Sequence, residues 1–247
     1  MRTAPVQDAG ARASSGGLAG VKERLKHGTH ALLDPVVRGL ARIGMRADHA
    51  TWLGLTISLA SGAAFFDGHF RLAALLLLLA GVCDILDGQL ARLSGGVSRF
   101  GAFLDSTLDR LSESLVLLGI LGFYLRNLLG LVLSPERVIR QLGIGLEPDT
   151  WVAVAILAGL ALVASFMVSY TRARAEGLGI ECRVGWFERP ERVALLIIAG
   201  FVKVFAAMPW ALLLLTTLSF WTAFQRARHV WRATRGAGAD SPGGSAS

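Results

Sequence analysis

The stretch that decides the fold runs from Asp84 to Asp109: residues 84–92 read DILDGQLAR and residues 101–109 read GAFLDSTLD. Asp84 and Asp87 are three apart and Asp105 and Asp109 four apart, so each pair shares one helical face. Both pairs sit in apolar surroundings. Phe70–Leu90 leads into the first and Phe100–Leu125 leads out of the second, each long enough for a hydrocarbon core of about 30 Å at about 1.5 Å per residue. The connection between them is short, so the chain turns back as an antiparallel helical hairpin and four carboxylates converge at a similar depth. A charge there costs about 2.5–3.5 kcal/mol even on the lenient insertion scale, and four together repel or take up protons unless cations offset them. Two divalent cations would neutralise the set, and all-oxygen ligands select hard ions such as Mg²⁺, Mn²⁺ or Ca²⁺. Two other readings compete: ion pairing with Arg92, Arg99 and Arg110, and an ion-conducting path, which intramembrane acids also mark.

Outward from the hairpin, four further apolar stretches are expected as spans: Ala50–Phe66, Trp151–Tyr170, Val193–Ala207 and Trp210–Phe224, the last two joined at Met208-Pro209. The expected fold is all-α, an integral membrane protein of six transmembrane helices. Composition agrees: 53% of the 247 residues are hydrophobic and 17% charged, against about 25% charged in soluble domains, and the mean hydropathy is +0.53. The net charge of +7 then points to an anionic membrane surface rather than to nucleic acid. Cys83 and Cys182 stand outside any C-x-x-C spacing and read as two unpaired thiols.

Residues 1–20 are polar and rich in Ala, Gly and Ser, and are expected to be disordered, without the apolar core of a cleaved signal peptide. Residues 21–45 repeat apolar side chains at helical spacing (Leu25, Leu32, Leu33, Val36, Val37, Leu40, Ile43) among Lys22, Arg24, Lys26, Arg38 and Arg42. That pattern fits an interfacial amphipathic helix, or equally a helix packed on the protein's own cytosolic face. Residues 46–232 form the six-helix domain, and 233–247 read as a disordered tail. Of the 25 lysines and arginines, Arg71, Arg126, Arg137, Arg140 and Lys203 alone fall on one side of the six spans. The positive-inside rule therefore places both termini and the hairpin connection in the cytosol.

Written as a pattern, the hairpin is Asp84-x-x-Asp87-Gly88-x-x-Ala91-Arg92, eight residues, then Gly101-x-x-x-Asp105-x-x-x-Asp109. It resembles, position for position, the signature of the CDP-alcohol phosphatidyltransferase family (class I), membrane enzymes of phospholipid synthesis. The resemblance implies two ions of Mg²⁺ (or Mn²⁺) on Asp84, Asp87, Asp105 and Asp109, holding the diphosphate of CDP-diacylglycerol, with Asp109 also the base that takes the acceptor hydroxyl's proton. CMP would be displaced. Gly88, Ala91 and Gly101 would leave room for the ligand, or for close helix packing, and Arg92 would meet the diphosphate. Asp48, His49, Ala50 and Thr51 stand where family members carry a polar approach to the first span, and Ser98 where a small hydroxyl touches the nucleotide. Capping by Asp48 or Thr51 and turn formation by Ser98 are the alternatives.

The acceptor is read from the other cytosolic connection. Arg172 and Arg174, then Arg189 and Arg192, place four guanidinium groups where the site must open, and guanidinium forks suit a phosphate. Anchoring to lipid headgroups or pairing with Glu176, Glu188 and Glu191 is the other reading. Both segments look like those of bacterial phosphatidylinositol phosphate synthases, which implies inositol phosphate as acceptor, with glycerol 3-phosphate the leading substitute. A divalent-cation transporter is the alternative of another class. The resemblance also implies a homodimer in a bacterial inner membrane, and Gly54, Ser61 and Gly62 offer small surfaces for close packing.

Overall fold

The computed structural model describes residues 34–93, 98–134, 136, 148–202 and 204–239, which form helices joined by short connections, with no strand among the described residues. The elements are α1 (34–42), α2 (Ala47–Phe66), α3 (Phe70–Leu93), α4 (Arg99–Leu133), α5 (Pro148–Gly177), α6 (Arg189–Phe201) and α7 (Val204–Ala239). α2 packs on α3 and α4, α4 on α5, α5 on α7, and α6 lies between α3 and α7.

Small residues set the closest approach. A methyl group placed on Gly119 would stand 2.1 Å from the Gly62 carbonyl oxygen, and one on Gly62 would stand 2.6 Å from that of Leu115. The backbones of α2 and α4 therefore touch, an approach only glycine permits. Beside this crossing Ser61 donates to the Ala73 carbonyl at 2.8 Å. Ser61 and Gly62 are thus occupied within the chain and leave no surface for a second copy. Far from the acids, edge-to-face contacts of Phe70 with Phe65 and Phe123, and of Tyr124 with Trp151, gather the ends of α2, α3, α4 and α5.

Arg99–Leu133, Thr150–Gly177 and Ala207–Arg235 are long and apolar enough to cross a membrane. α3 has the length, with Arg71 and Arg92 near its two ends and Asp84 and Asp87 within it. α6, with 13 residues, reaches only about 20 Å. The expected break at Met208-Pro209 is corrected: α6 closes at Phe201 with Val202 as its C-cap, and Pro209 lies inside α7. A proline in the second turn of a helix removes a single backbone bond, and Met208 beside it is fully buried, so burial holds the helix through the proline.

α7 runs on to Ala239, through the first residues expected to be tail. Of the segment read as amphipathic, 34–45 is described. Val37 is fully buried against Ala50 and Leu90, while Val36 and Ile43 face outward. The Val37 face of α1 thus packs on the protein itself. Residues 1–33 and 240–247, which include the expected disordered start, lie outside the described residues.

Candidate active site

α3 and α4 bring three of the four hairpin acids together: Asp84, Asp105 and Asp109 each offer a carboxylate oxygen, all within 4.8 Å of one another. The i, i+4 spacing on α4 aims Asp105 and Asp109 the same way, and the α4 start is fixed by Ser98, whose Oγ accepts from the Gly101 N–H at 2.8 Å. A Cβ at Gly101 would come within 3.0 Å of that oxygen. Asp87 is turned toward α2, where it accepts from the Thr51 hydroxyl at 3.0 Å. It still borders, with Asp84, Asp109, Ser58 and Ser112, a polar cavity of about 10 Å³, close to the volume one water or ion needs.

Among the described residues no ion pair joins these acids to Arg92, Arg99 or Arg110. Arg110 turns back to the Ser106 carbonyl. The cation that reaches them is Arg189 at the start of α6, whose NH1 lies 2.7 Å from both Asp84 Oδ2 and Asp109 Oδ1.

Beside this contact opens a cleft of about 210 Å³, bordered by Asp109, Arg172, Arg189, Arg192 and Arg226 among others. Arg172 pairs with Glu176 at 2.9 Å and lies 3.6 Å from Glu188. Arg192 is buried in a two-point fork with Glu113. Arg174, in the last turn of α5, is exposed and does not border the cleft.

The other expected ligand contacts divide. Gly88 is exposed, and a Cβ there would meet only the Arg92 guanidinium at 3.9 Å, so the α3 surface is open at that turn. Ala91 and the exposed Arg92 continue the last turn of α3. Asp48 borders a groove of about 560 Å³ shared with Gly44, Met45, Arg46, Leu90 and Leu93. His49 is exposed, with its Nδ1 accepting from the Arg46 N–H at 3.4 Å. Ala50 packs against Val37 and Leu90. The one hydroxyl proton of Thr51 is shared between Asp87 and the Ala47 carbonyl, whose oxygen lies 3.1 Å away.

Comparison with known proteins decides what carries this geometry. The pattern of CDP-alcohol phosphatidyltransferases matches residues 45–224, most of the chain. The chain belongs to the CDP-alcohol phosphatidyltransferase family. It is 37% identical over 205 residues to the archaetidylinositol phosphate synthase of Methanothermobacter thermautotrophicus, covering 81% of this chain and 89% of the relative. The crystal structure of Mycobacterium tuberculosis phosphatidylinositol phosphate synthase with CDP-DAG bound superposes with a TM-score of 0.64 at 32% identity, covering 80% of this chain and 92% of the other. The same enzyme in complex with manganese and citrate gives 0.64 at 32% identity, over 80% and 88%. A CDP-alcohol phosphatidyltransferase is an enzyme, which sets the transporter reading aside, and the chain is a multi-pass membrane protein of that family. The acidic cluster fits a divalent cation: its donors are all carboxylate oxygens, and Asp84 joins Asp105 and Asp109 from a second helix.

Two site residues, Glu113 and Arg226, escaped the sequence reading. Glu113 follows Asp105 and Asp109 at the same interval of four on α4, a visible signal taken as part of an apolar span. Glu188, expected as a partner for the acceptor arginines, precedes α6 and faces Arg172 and, beyond that expectation, Arg226. Arg226, nearly fully buried, donates to the carbonyls of Val168 at 2.6 Å and Val184 at 2.9 Å. It ties α7 to α5 and to the connection before α6, although as the first basic residue after an apolar stretch it read as ordinary positive-inside charge.

Proposed function

We propose that this protein transfers the phosphatidyl group of CDP-diacylglycerol to the hydroxyl of a phosphorylated alcohol, with inositol phosphate as acceptor and phosphatidylinositol phosphate as product. The observation that carries the reading is the junction of two sites: the Asp84, Asp105 and Asp109 cluster meets a cleft bordered by Arg172, Arg189, Arg192 and Arg226. A substrate that presents a hydroxyl to Asp109 and a phosphate to the guanidinium groups matches that junction. The relatives named for inositol phosphate products favour inositol phosphate over glycerol 3-phosphate.

In this reaction the acceptor oxygen forms a bond to the phosphorus that bears the diacylglycerol, and the bond from that phosphorus to CMP breaks. Asp109 takes the hydroxyl proton. Arg172, Arg189 and Arg192 orient the acceptor through its phosphate, and orientation supplies much of the rate in phosphoryl transfer. Asp84, Asp87, Asp105 and Asp109 would hold two Mg²⁺ or Mn²⁺ ions, which offset the charge of the donor diphosphate when bound. Thr51 steadies Asp87 for that task.

Gly88, Ala91, Arg92, Ser98 and Gly101 line the donor side, and Asp48 and His49 border the way to the nucleotide. The polar face sits in the cytosol with both termini, the basic surface meets anionic lipid, and the protein works as a homodimer in a bacterial inner membrane.

The test is an acceptor panel. Membranes holding the protein receive CDP-diacylglycerol, Mg²⁺ or Mn²⁺ and, separately, inositol phosphate, glycerol 3-phosphate and unphosphorylated inositol, and CMP is followed. CMP release dependent on inositol phosphate is expected. Release with glycerol 3-phosphate alone would reassign the acceptor, and release with unphosphorylated inositol at equal efficiency would sink the phosphate reading.

A further inference from the structure

Glu113 has no part in the chemistry above, yet it is buried beside it. α4 presents Asp105, Asp109 and Glu113 four apart, and α6 presents Arg189 and Arg192 three apart, so the two faces meet in two rungs. The upper rung is Arg189 with Asp109 at 2.7 Å. The lower rung is a fork: Arg192 donates from Nε to Glu113 Oε1 at 2.5 Å and from NH2 to Oε2 at 2.8 Å. The two side chains are 2% and 5% exposed.

Both carboxylate oxygens of Glu113 are spent on one edge of the guanidinium. The remaining nitrogen, NH1, is buried and has no hydrogen-bond partner among the described residues, while Arg192 borders the cleft. Folded proteins seldom leave a buried donor unmatched, because it forfeits its bonds to water. A fork also fixes the guanidinium plane as a single contact does not.

We propose that Glu113 is a positioning residue, which locks Arg192 so that its free NH1 edge meets the phosphate of the acceptor alcohol. The inference rests on the phosphorylated-acceptor reading. A pair that merely joined α4 to α6 would behave differently, since replacing a buried ion pair by apolar residues of similar volume is often neutral or stabilising. Glu113 also offsets one charge in the arginine cluster, so Arg192 can stay buried before an anion arrives.

The experiment measures CMP release by the full-length protein in detergent, with the phosphorylated acceptor and CDP-diacylglycerol varied in turn, for wild type, Glu113→Gln and the double variant Glu113→Leu with Arg192→Met. Thermal unfolding is followed in parallel, and inorganic phosphate is tested as an inhibitor competing with the acceptor. Glu113→Gln is expected to raise the acceptor KM by about tenfold or more, with the CDP-diacylglycerol KM unchanged. Where Glu113→Gln does not fold, the double variant decides, and it is expected to fold and to show the same selective rise in acceptor KM. An unmoved acceptor KM in a folded Glu113→Gln protein, or in the double variant, overturns the proposal while wild type remains inhibited by phosphate. A wild-type enzyme indifferent both to phosphate and to phosphorylation of its acceptor would overturn the acceptor reading itself, and this inference with it.

Discussion

A single nitrogen of Arg189, NH1, lies 2.7 Å from both Asp84 and Asp109, joining the two helices of the acidic hairpin to the start of α6. A divalent cation seeking the same oxygens competes with that guanidinium, and each charge-assisted bond it displaces is worth about 1.5–3 kcal/mol. Arg189→Gln is therefore expected to bind Mn²⁺ more tightly, by about tenfold or more, while its acceptor KM rises. Titration of the purified variant with Mn²⁺, by calorimetry or by loss of the free-ion resonance signal, reads the first effect without turnover. Weaker Mn²⁺ binding in the variant would show that Arg189 supports the cation site instead of competing for it.

Asp109 borders both the acidic cluster and the cleft, the position a base needs if it is to reach the acceptor hydroxyl. A positioned general base contributes about 10²–10⁴-fold. Asp109→Asn is accordingly expected to lower CMP release by at least about a hundredfold with an unchanged unfolding temperature. Turnover within tenfold of wild type would move the base elsewhere.

The α2–α4 crossing supplies a stability prediction independent of chemistry. Gly119→Ala places a methyl 2.1 Å from the Gly62 carbonyl oxygen, and overpacking of this kind costs about 1–3 kcal/mol. Gly159→Ala on α5 meets nothing within 4 Å and gains about 0.8–1.0 kcal/mol of helix propensity. Thermal unfolding in detergent should fall for the first and hold or rise for the second. Equal effects would mean that the helices do not cross as closely as the two glycines indicate.

What was legible in the sequence was local. Two acid pairs at helical spacing in apolar runs fixed the hairpin, because a charge at membrane depth demands a partner and the short connection permits only an antiparallel return. Partnerships across the chain were not legible. Arg189 and Asp84 are separated by 105 positions, and Arg192 and Glu113 by 79, and no periodicity links residues on different helices. Ser61 and Gly62 read as small surfaces for close packing without a stated partner, because a small residue looks the same whichever helix it faces. The break misplaced at Pro209 has the same origin: proline marks a lost hydrogen bond, while the burial that carries α7 through it comes from other helices.

The acceptor arginines should separate in the same way. Arg172 borders the cleft and faces Glu176 and Glu188, whereas Arg174, two residues on, is exposed and away from it. Positions two apart on a helix point in different directions, so the equal weight that the sequence gives them does not survive folding. Arg172→Ala is expected to raise the acceptor KM about tenfold, the loss of one charge-assisted contact to phosphate, and Arg174→Ala to leave both KM values within about twofold, as surface changes usually do. Glu176 sharpens the comparison. Its carboxylate holds Arg172 by Nε at 2.9 Å, so Glu176→Gln should weaken acceptor binding less than Arg172→Ala while moving it in the same direction. Kinetics with the acceptor varied at saturating CDP-diacylglycerol rank the three variants, and an Arg174→Ala defect as large as that of Arg172→Ala would place the phosphate outside the cleft.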